Sequence, residues 1–321
     1  MSFVINVYEN ETLKYWKKKL KHKWYKIPFL IYKNLEIETF KKNTGTIKPA
    51  PEDRNVIIEL SDKINSITED SKVVVVIPAY IKDSYGKKQI ERTIDLLKQQ
   101  TVKAKKIIII DDCSPYSYQI SGVEKIQLSK NQGPANARNI GIQKALDLGA
   151  DIISFTDSDV LPNIDWIETI IKGFINNRSF QVISGKTLSF NKSWFGLYHD
   201  INGTLNGRVF NNSNLLLYGP TCNLSIISEA LVEIKFSTDF QLAAGEDIHF
   251  CFELLNNGYN IIHDPSVIVY HDYGFKAFNY TRNKGIFIKM FQKYAQGEKV
   301  LLDKIDTYYS YLNKTKEISN R

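Results

Sequence analysis

The chain has 321 residues, 42 Lys+Arg against 35 Asp+Glu, and 43% hydrophobic residues. These fractions fit an ordinary globular protein and exclude a disordered or fibrous one. The length fits one large domain with attachments or two small ones. Three cysteines, Cys113, Cys222 and Cys251, make no disulfide framework, and no two stand at C-x-x-C spacing. A zinc ribbon and a dithiol redox motif are therefore excluded, and a reducing compartment is expected. The net charge of +7 is unevenly spread: residues 1–26 carry +5, residues 276–321 carry +6, and residues 27–275 carry −4. The basic ends enclose a slightly acidic middle, which makes a poor nucleic-acid groove and a better place for a cation.

In chain order, Met1–Asn10 lacks the basic and apolar regions of a signal peptide, and no apolar run is long enough to span a bilayer. A cytoplasmic location follows as the expectation. Residues 11–27 read as an amphipathic helix: Leu13, Trp16, Leu20, Trp24 and Ile27 recur at helical spacing within a collar of lysines, and Pro28 stops it. That helix suits an anionic membrane surface, at the inner face, or packing on the rest of the protein or on a second subunit, which leaves a homo-oligomer open. Residues 43–72 are polar and read as a connecting region. Val73–Ile77 is a continuous β-branched run, as in a strand buried on both faces. Lys87–Gln100 has helical spacing, Ile107–Ile110 is a second buried run, and Val123–Leu128 alternates. Pro134–Leu148 reads as a helix opened by proline. Ile152–Phe155 is a third buried run, followed by a helix at about 163–176 and a strand at about 180–188. Alternation at this spacing predicts an α/β domain with a mainly parallel sheet. Ligands of such sheets bind beyond the carboxyl ends of the strands.

Those ends carry Pro78-Ala79-Tyr80, then Asp111-Asp112, then Asp157-Ser158-Asp159. A single aspartate there is commonly a turn former or helix cap. Asp157 and Asp159 are two apart, point to one side, and repel unless a cation sits between them. Oxygen donors of this kind suit Mg²⁺ or Mn²⁺ bridging to phosphate. A helix cap is the plainer alternative.

The series V-V-V-V-I-P-A-Y (73–80), I-I-I-I-D-D-C-S (107–114), N-Q-G-P-A-N-A-R-N-I-G (131–141), F-T-D-S-D (155–159), G-P-T-C-N-L-S (219–225), G-E-D-I-H-F (245–250) and V-Y-H (269–271) resembles the family 2 glycosyltransferases of the GT-A fold. The resemblance covers about residues 72–275. It divides the chain into an N-terminal extension (1–71), a GT-A domain (72–275) and a basic, helical tail (276–321).

The resemblance implies an inverting, metal-dependent transferase that moves a sugar from a nucleotide-diphosphate donor, a UDP-sugar, to an acceptor hydroxyl. The setting would be glycan, glycolipid or polysaccharide synthesis, with a glycan, lipid-linked or peptide acceptor. Pro78, Ala79 and Tyr80 would line the base and ribose pocket. Asp112 would accept from the uracil imide, although Cys113 replaces the family's usual glycine. Arg138 would contribute to the nucleotide pocket by stacking on the base or by pairing with Asp112 or the phosphates; a structural ion pair is its plainer alternative. Asp157 and Ser158 would lie near the ribose, and Asp159, Asp157 and His271 would hold Mn²⁺ or Mg²⁺. Asp247 would be the general base, with Glu246 orienting the acceptor. Carboxylates in a helix's first turn also complement its dipole. Gly219, Thr221 and Asn223 resemble the donor-sugar and scaffold segment. The aromatic stretch 189–218 fits an acceptor site, a lid or core equally. Two rivals remain: a nucleotidyltransferase of related fold, disfavoured by the absence of a Gly-rich basic loop after the first strand, and a non-catalytic nucleotide-sugar-binding protein, disfavoured by the retained carboxylates.

Overall fold

The β-branched run forms the strand β1, Val73–Ala79, and its first five residues are all buried. It lies near the middle of an eight-stranded sheet of order β3-β2-β1-β4-β9-β6-β10-β5. The computed structural model describes residues 32–36, 38, 39, 42, 56, 60–191, 193–276 and 278–320. The amphipathic helix at 11–27 lies outside them. Among the described residues, no helix is long and apolar enough to cross a membrane. Residues 60–72 carry no helix or strand, as a connecting stretch should, yet Asn65 and Ile67 are buried. The Asn65 amide donates to the carbonyls of Phe174 and Phe180 and so closes the end of a helix over a hundred residues away.

Helix α1 (Ser84–Gln99) starts three residues before the apolar spacing suggests, because the Asp83 carboxylate caps it, accepting from Tyr85 N and Gly86 N. β2 (Lys106–Asp111) and β3 (Glu124–Gln127) follow, then α2 (Gly133–Asp147), β4 (Ile152–Thr156), β5 (Val160–Pro162), α3 (Trp166–Asn176) and β6 (Val182–Ser189). β1 pairs parallel to both β2 and β4, β2 to β3, and β6 to β10. Gly141 lets α2 approach this sheet, since a Cβ there would fall 2.2 Å from Val76 Cγ1.

The sheet is mainly parallel, as predicted, with two strands that local periodicity did not reveal. β5 is three residues long and begins directly after Asp159, where a helix was expected to follow closely. β9 (Asn223–Ile227) runs antiparallel between β4 and β6.

Helix α4 (Trp194–Asn202) precedes β7 (Arg208–Phe210) and β8 (Leu216–Tyr218). After β9 come α5 (Glu246–Asn256), β10 (Ile261–His271), α6 (Tyr280–Lys304), α7 (Tyr308–Asn313) and β11 (Thr315–Glu317). The expected helical tail is thus formed by α6 and α7, while β11, β7 and β8 make a second, small sheet. A second apolar cluster joins α4 to α6 through Phe195, Tyr198, Phe287 and Phe291. This assigns much of the aromatic stretch to core; Trp194 and Phe190 stay partly exposed.

Candidate active site

The carboxyl ends of β1, β2 and β4 deliver the residues that the motifs single out. Pro78 is half-buried, Ala79 is buried, and Tyr80 is 43% exposed with Lys82 Nζ 5.3 Å from its ring centroid. The Tyr80 ring is therefore open to a ligand rather than packed into the core.

At the end of β2 the two aspartates differ. Asp111 is structural: Lys125 Nζ lies 2.9 Å away, and Ser114 N donates to it. Asp112 accepts Gln132 N at 2.7 Å and Gly133 N at 2.8 Å, which sets it under the first turn of α2. Each oxygen keeps a second lone pair for a ligand. Cys113 has φ 58°, in the left-handed region where glycine carries no Cβ penalty. Cys113 thus occupies a backbone conformation that glycine adopts most readily.

Arg138, on α2, is buried between two carboxylates. Its Nη2 is 3.0 Å from Asp157 Oδ1, and its Nη1 is 2.9 Å from Glu246 Oε1. The side chain therefore forms ion pairs with Asp157 and Glu246 rather than with Asp112. Asn139, beside it, donates to Phe236 O and accepts Phe236 N, so it fixes the loop whose aromatic ring lies 5.6 Å from the guanidinium.

The D-S-D turn follows β4. Asp157, Asp159 and His271 each offer a ligand atom, all within 4.8 Å of one another. His271 Nε2 is 3.7 Å from Asp159 Oδ1. Burial pushes the Asp159 carboxyl up, and His271 opposes this. Two carboxylates and an imidazole with room between them are a donor set suited to Mn²⁺ or Mg²⁺. His271 Nδ1 has no hydrogen-bond partner among the described residues. Ser158 presents its carbonyl to Thr93 Oγ1, 3.2 Å away.

Glu246 and Asp247 open α5 after Gly245, which has φ 85°. Glu246 is 3% exposed. Burial, with the Asp247 charge adding, raises its carboxyl to about 7, and Arg138 opposes that rise. Burial also raises Asp247, again against Arg138. Glu246 Oε2 is buried without a partner among the described residues. The pair faces the D-S-D turn across Arg138.

Asn223 is held inside the protein: its Oδ1 accepts Trp166 Nε1 at 2.8 Å, and its Nδ2 donates to Val267 O at 2.9 Å. Thr221 is buried. A Cβ on Gly219 would fall 2.3 Å from Ser184 Cβ, so Gly219 is needed for close packing. Asn223 and Gly219 thus support the scaffold.

Sequence reading passed over Asp272, which follows His271, and over Tyr85, Gln89, Arg92 and Asn191, which hold Asp272. The only signal was a polar ladder on α1, a helix read for its apolar residues alone.

A mainly parallel sheet with an acidic turn at its carboxyl edge and an E-D pair opening a facing helix defines a GT-A-type fold. Residues 74–227 match the family described as Glycosyl transferase family 2. The pre-mycofactocin glycosyltransferase of Mycobacterium tuberculosis is 22% identical over 201 residues, 58% of this chain and 42% of that protein. The dTDP-rhamnosyl transferase RfbF of Shigella flexneri is 24% identical over 205 residues, 59% of this chain and 66% of that protein. The crystal structure of S. aureus TarS 1–349 in complex with UDP has a TM-score of 0.50 and 19% identity, covering 68% of this chain and 70% of that one. The chain spans less than half the length of the first of these relatives.

Proposed function

We propose that this chain is an inverting glycosyltransferase that moves a sugar from a pyrimidine nucleotide diphosphate donor, a UDP-sugar, to an acceptor hydroxyl. The observation that carries the reading is the convergence on one sheet edge of Asp157, Asp159 and His271 with the Glu246–Asp247 pair, bridged by Arg138. The family match and the transferase names of the relatives support it. Pro78, Ala79 and Tyr80 line the base and ribose, and Asp112 accepts from the base imide, a group that uracil shares with thymine. Ser158 and Asp157 lie on the ribose side.

Asp157, Asp159 and His271 would hold a divalent ion, Mn²⁺ or Mg²⁺, which supplies charge neutralisation for the departing diphosphate. Asp247 takes the proton of the acceptor hydroxyl as its oxygen attacks the anomeric carbon from the face opposite the leaving group. The new C–O bond forms as the sugar–phosphate bond breaks, and the bonding pair leaves with the diphosphate. Glu246, fixed by Arg138, orients the acceptor with its free oxygen. The acceptor is a glycan, a lipid-linked sugar or a peptide hydroxyl.

The test is Asp247→Asn, with nucleotide binding and sugar transfer measured separately. Binding is expected to persist, while transfer falls by about 10²–10⁴-fold. Normal turnover by the variant overturns the assignment. A screen of nucleotide sugars for metal-dependent hydrolysis identifies the donor, and preference for a thymidine donor would reassign the base.

A further inference from the structure

Asp272 follows His271 directly and is 1% exposed. A carboxylate so deeply buried needs donors around it, and they come from three separate segments. Tyr85 OH is 3.0 Å from both of its oxygens, Arg92 Nη2 and Asn191 Nδ2 each contact one, and Gly274 N donates at 3.0 Å. Its backbone is held as well: Asp272 N donates to Asp159 O at 2.8 Å, and Gln89 Nε2 donates to Asp272 O at 2.9 Å. Residues 85, 89 and 92 are spaced along one face of α1. Thr93, next on that helix, donates to Ser158 O. Phe190 N donates to His271 O at 2.9 Å.

The groups gripped are thus backbone atoms of, or adjacent to, the residues that offer ligand atoms. A metal-bound histidine ordinarily gives its second ring nitrogen to a partner that sets the ring's orientation. His271 Nδ1 has none among the described residues. The imidazole instead stacks on Tyr273, with ring centroids 4.3 Å apart.

We propose that Asp272 is a positioning residue that sets the separation of Asp159 and His271, with Tyr85 and Arg92 of α1 acting through it. This rests on the reading of Asp157, Asp159 and His271 as a metal site. The same helix begins just after the Pro78–Tyr80 loop, so the clamp around Asp272 also ties that loop to Asp159 and His271.

The experiment uses the full chain and Mn²⁺ as the probe, with binding measured by calorimetry and by electron paramagnetic resonance, alone and with UDP. Asp272→Asn keeps the side chain's size and is expected to weaken Mn²⁺ binding by about 10–100-fold, the usual effect of losing such support. Its kcat is expected to recover at saturating Mn²⁺. Arg92→Gln and Tyr85→Phe, at more exposed positions, are expected to shift affinity in the same direction by less, and they carry the test if Asp272→Asn does not fold. Unchanged Mn²⁺ affinity in the folded variants, with or without a lower melting temperature, overturns the inference. Wild-type protein that binds no Mn²⁺ in either condition overturns the metal reading itself and the inference with it.

Discussion

Arg138 Nη1 lies 2.9 Å from Glu246 Oε1, and this buried pair ties the helix after the N-Q-G-P turn to the helix that carries Asp247. Its Nη2 holds Asp157. One guanidinium therefore spaces the D-S-D turn from the E-D pair. Removing it would leave Glu246 buried without its counter-charge. Arg138→Gln is expected to destabilise the protein by about 3–5 kcal/mol, measured by urea unfolding. Arg138→Lys keeps the charge but loses the two-pronged geometry and is expected to fall between. Equal stability of all three proteins would show that the bridge contributes nothing.

The pH dependence of transfer follows from the same pair. Asp247 must be ionised to accept a proton, and burial raises its carboxyl above the usual range. Glu246 is raised to about 7. Two carboxyls this close titrate as a pair. The rate is expected to fall as pH drops through that raised range and to level off above it. Glu246→Gln removes the higher titration of the pair and should move the acid limb to lower pH. Profiles of kcat/KM for both proteins between about pH 5 and 9 decide this; an unmoved limb would separate Glu246 from the titration.

Helix α6 supports the loop before Asp247 by close approach. A Cβ on Gly297 would fall 2.3 Å from Ala244 O, and that oxygen is backbone. Gly297→Ala is expected to cost about 1–3 kcal/mol by overpacking and to lower kcat by displacing the first turn of α5. Gly285, on the same helix, meets nothing within 4 Å. Gly285→Ala is the control, expected to be neutral or stabilising by up to about 1 kcal/mol. Equal kcat in the two variants would remove α6 from any role in placing Asp247.

Glu298, next to Gly297, is buried, and burial raises its carboxyl from 4.5 to about 7. The folded protein therefore holds this proton more tightly than the unfolded chain does. The resulting stability is complete below the unfolded value and is lost as pH rises through about 7. Glu246 acts in the same direction. Melting temperatures are expected to fall between about pH 4.5 and 7, and Glu298→Gln should reduce that fall and melt higher than wild type at the upper pH. An identical pH dependence in the variant would assign the effect elsewhere.

Some of this was legible along the chain because it depends on neighbours in sequence. The buried runs at Val73, Ile107 and Ile152 marked parallel strands, since only a strand covered on both faces is apolar at every position. Their ends marked the candidate site, and the motif order resembled that of the family 2 glycosyltransferases. Short-range patterning also located α2, through Pro134, and the helix opened by Glu246 and Asp247. Strands β5 and β9 were hidden because a three-residue strand has too little length for periodicity, and because direction in a sheet is set by partners rather than by composition.

Tertiary structure alone decided which distant residues meet. The antiparallel pairing of β10 with β5 sets His271 opposite Val160, one residue after Asp159, and so brings imidazole and carboxylate within 3.7 Å. It set Arg138 as the bridge between Asp157 and Glu246. It drew Tyr85, Gln89 and Arg92 onto Asp272, a contact across some 180 residues that no local spacing encodes. The sequence by itself determined the residue types, the strand-and-helix alternation and the chemistry on offer, because these depend on side-chain character and nearby spacing. Separations, burial and shifted acidities are properties of packed neighbours, and they arise only when the chain is folded.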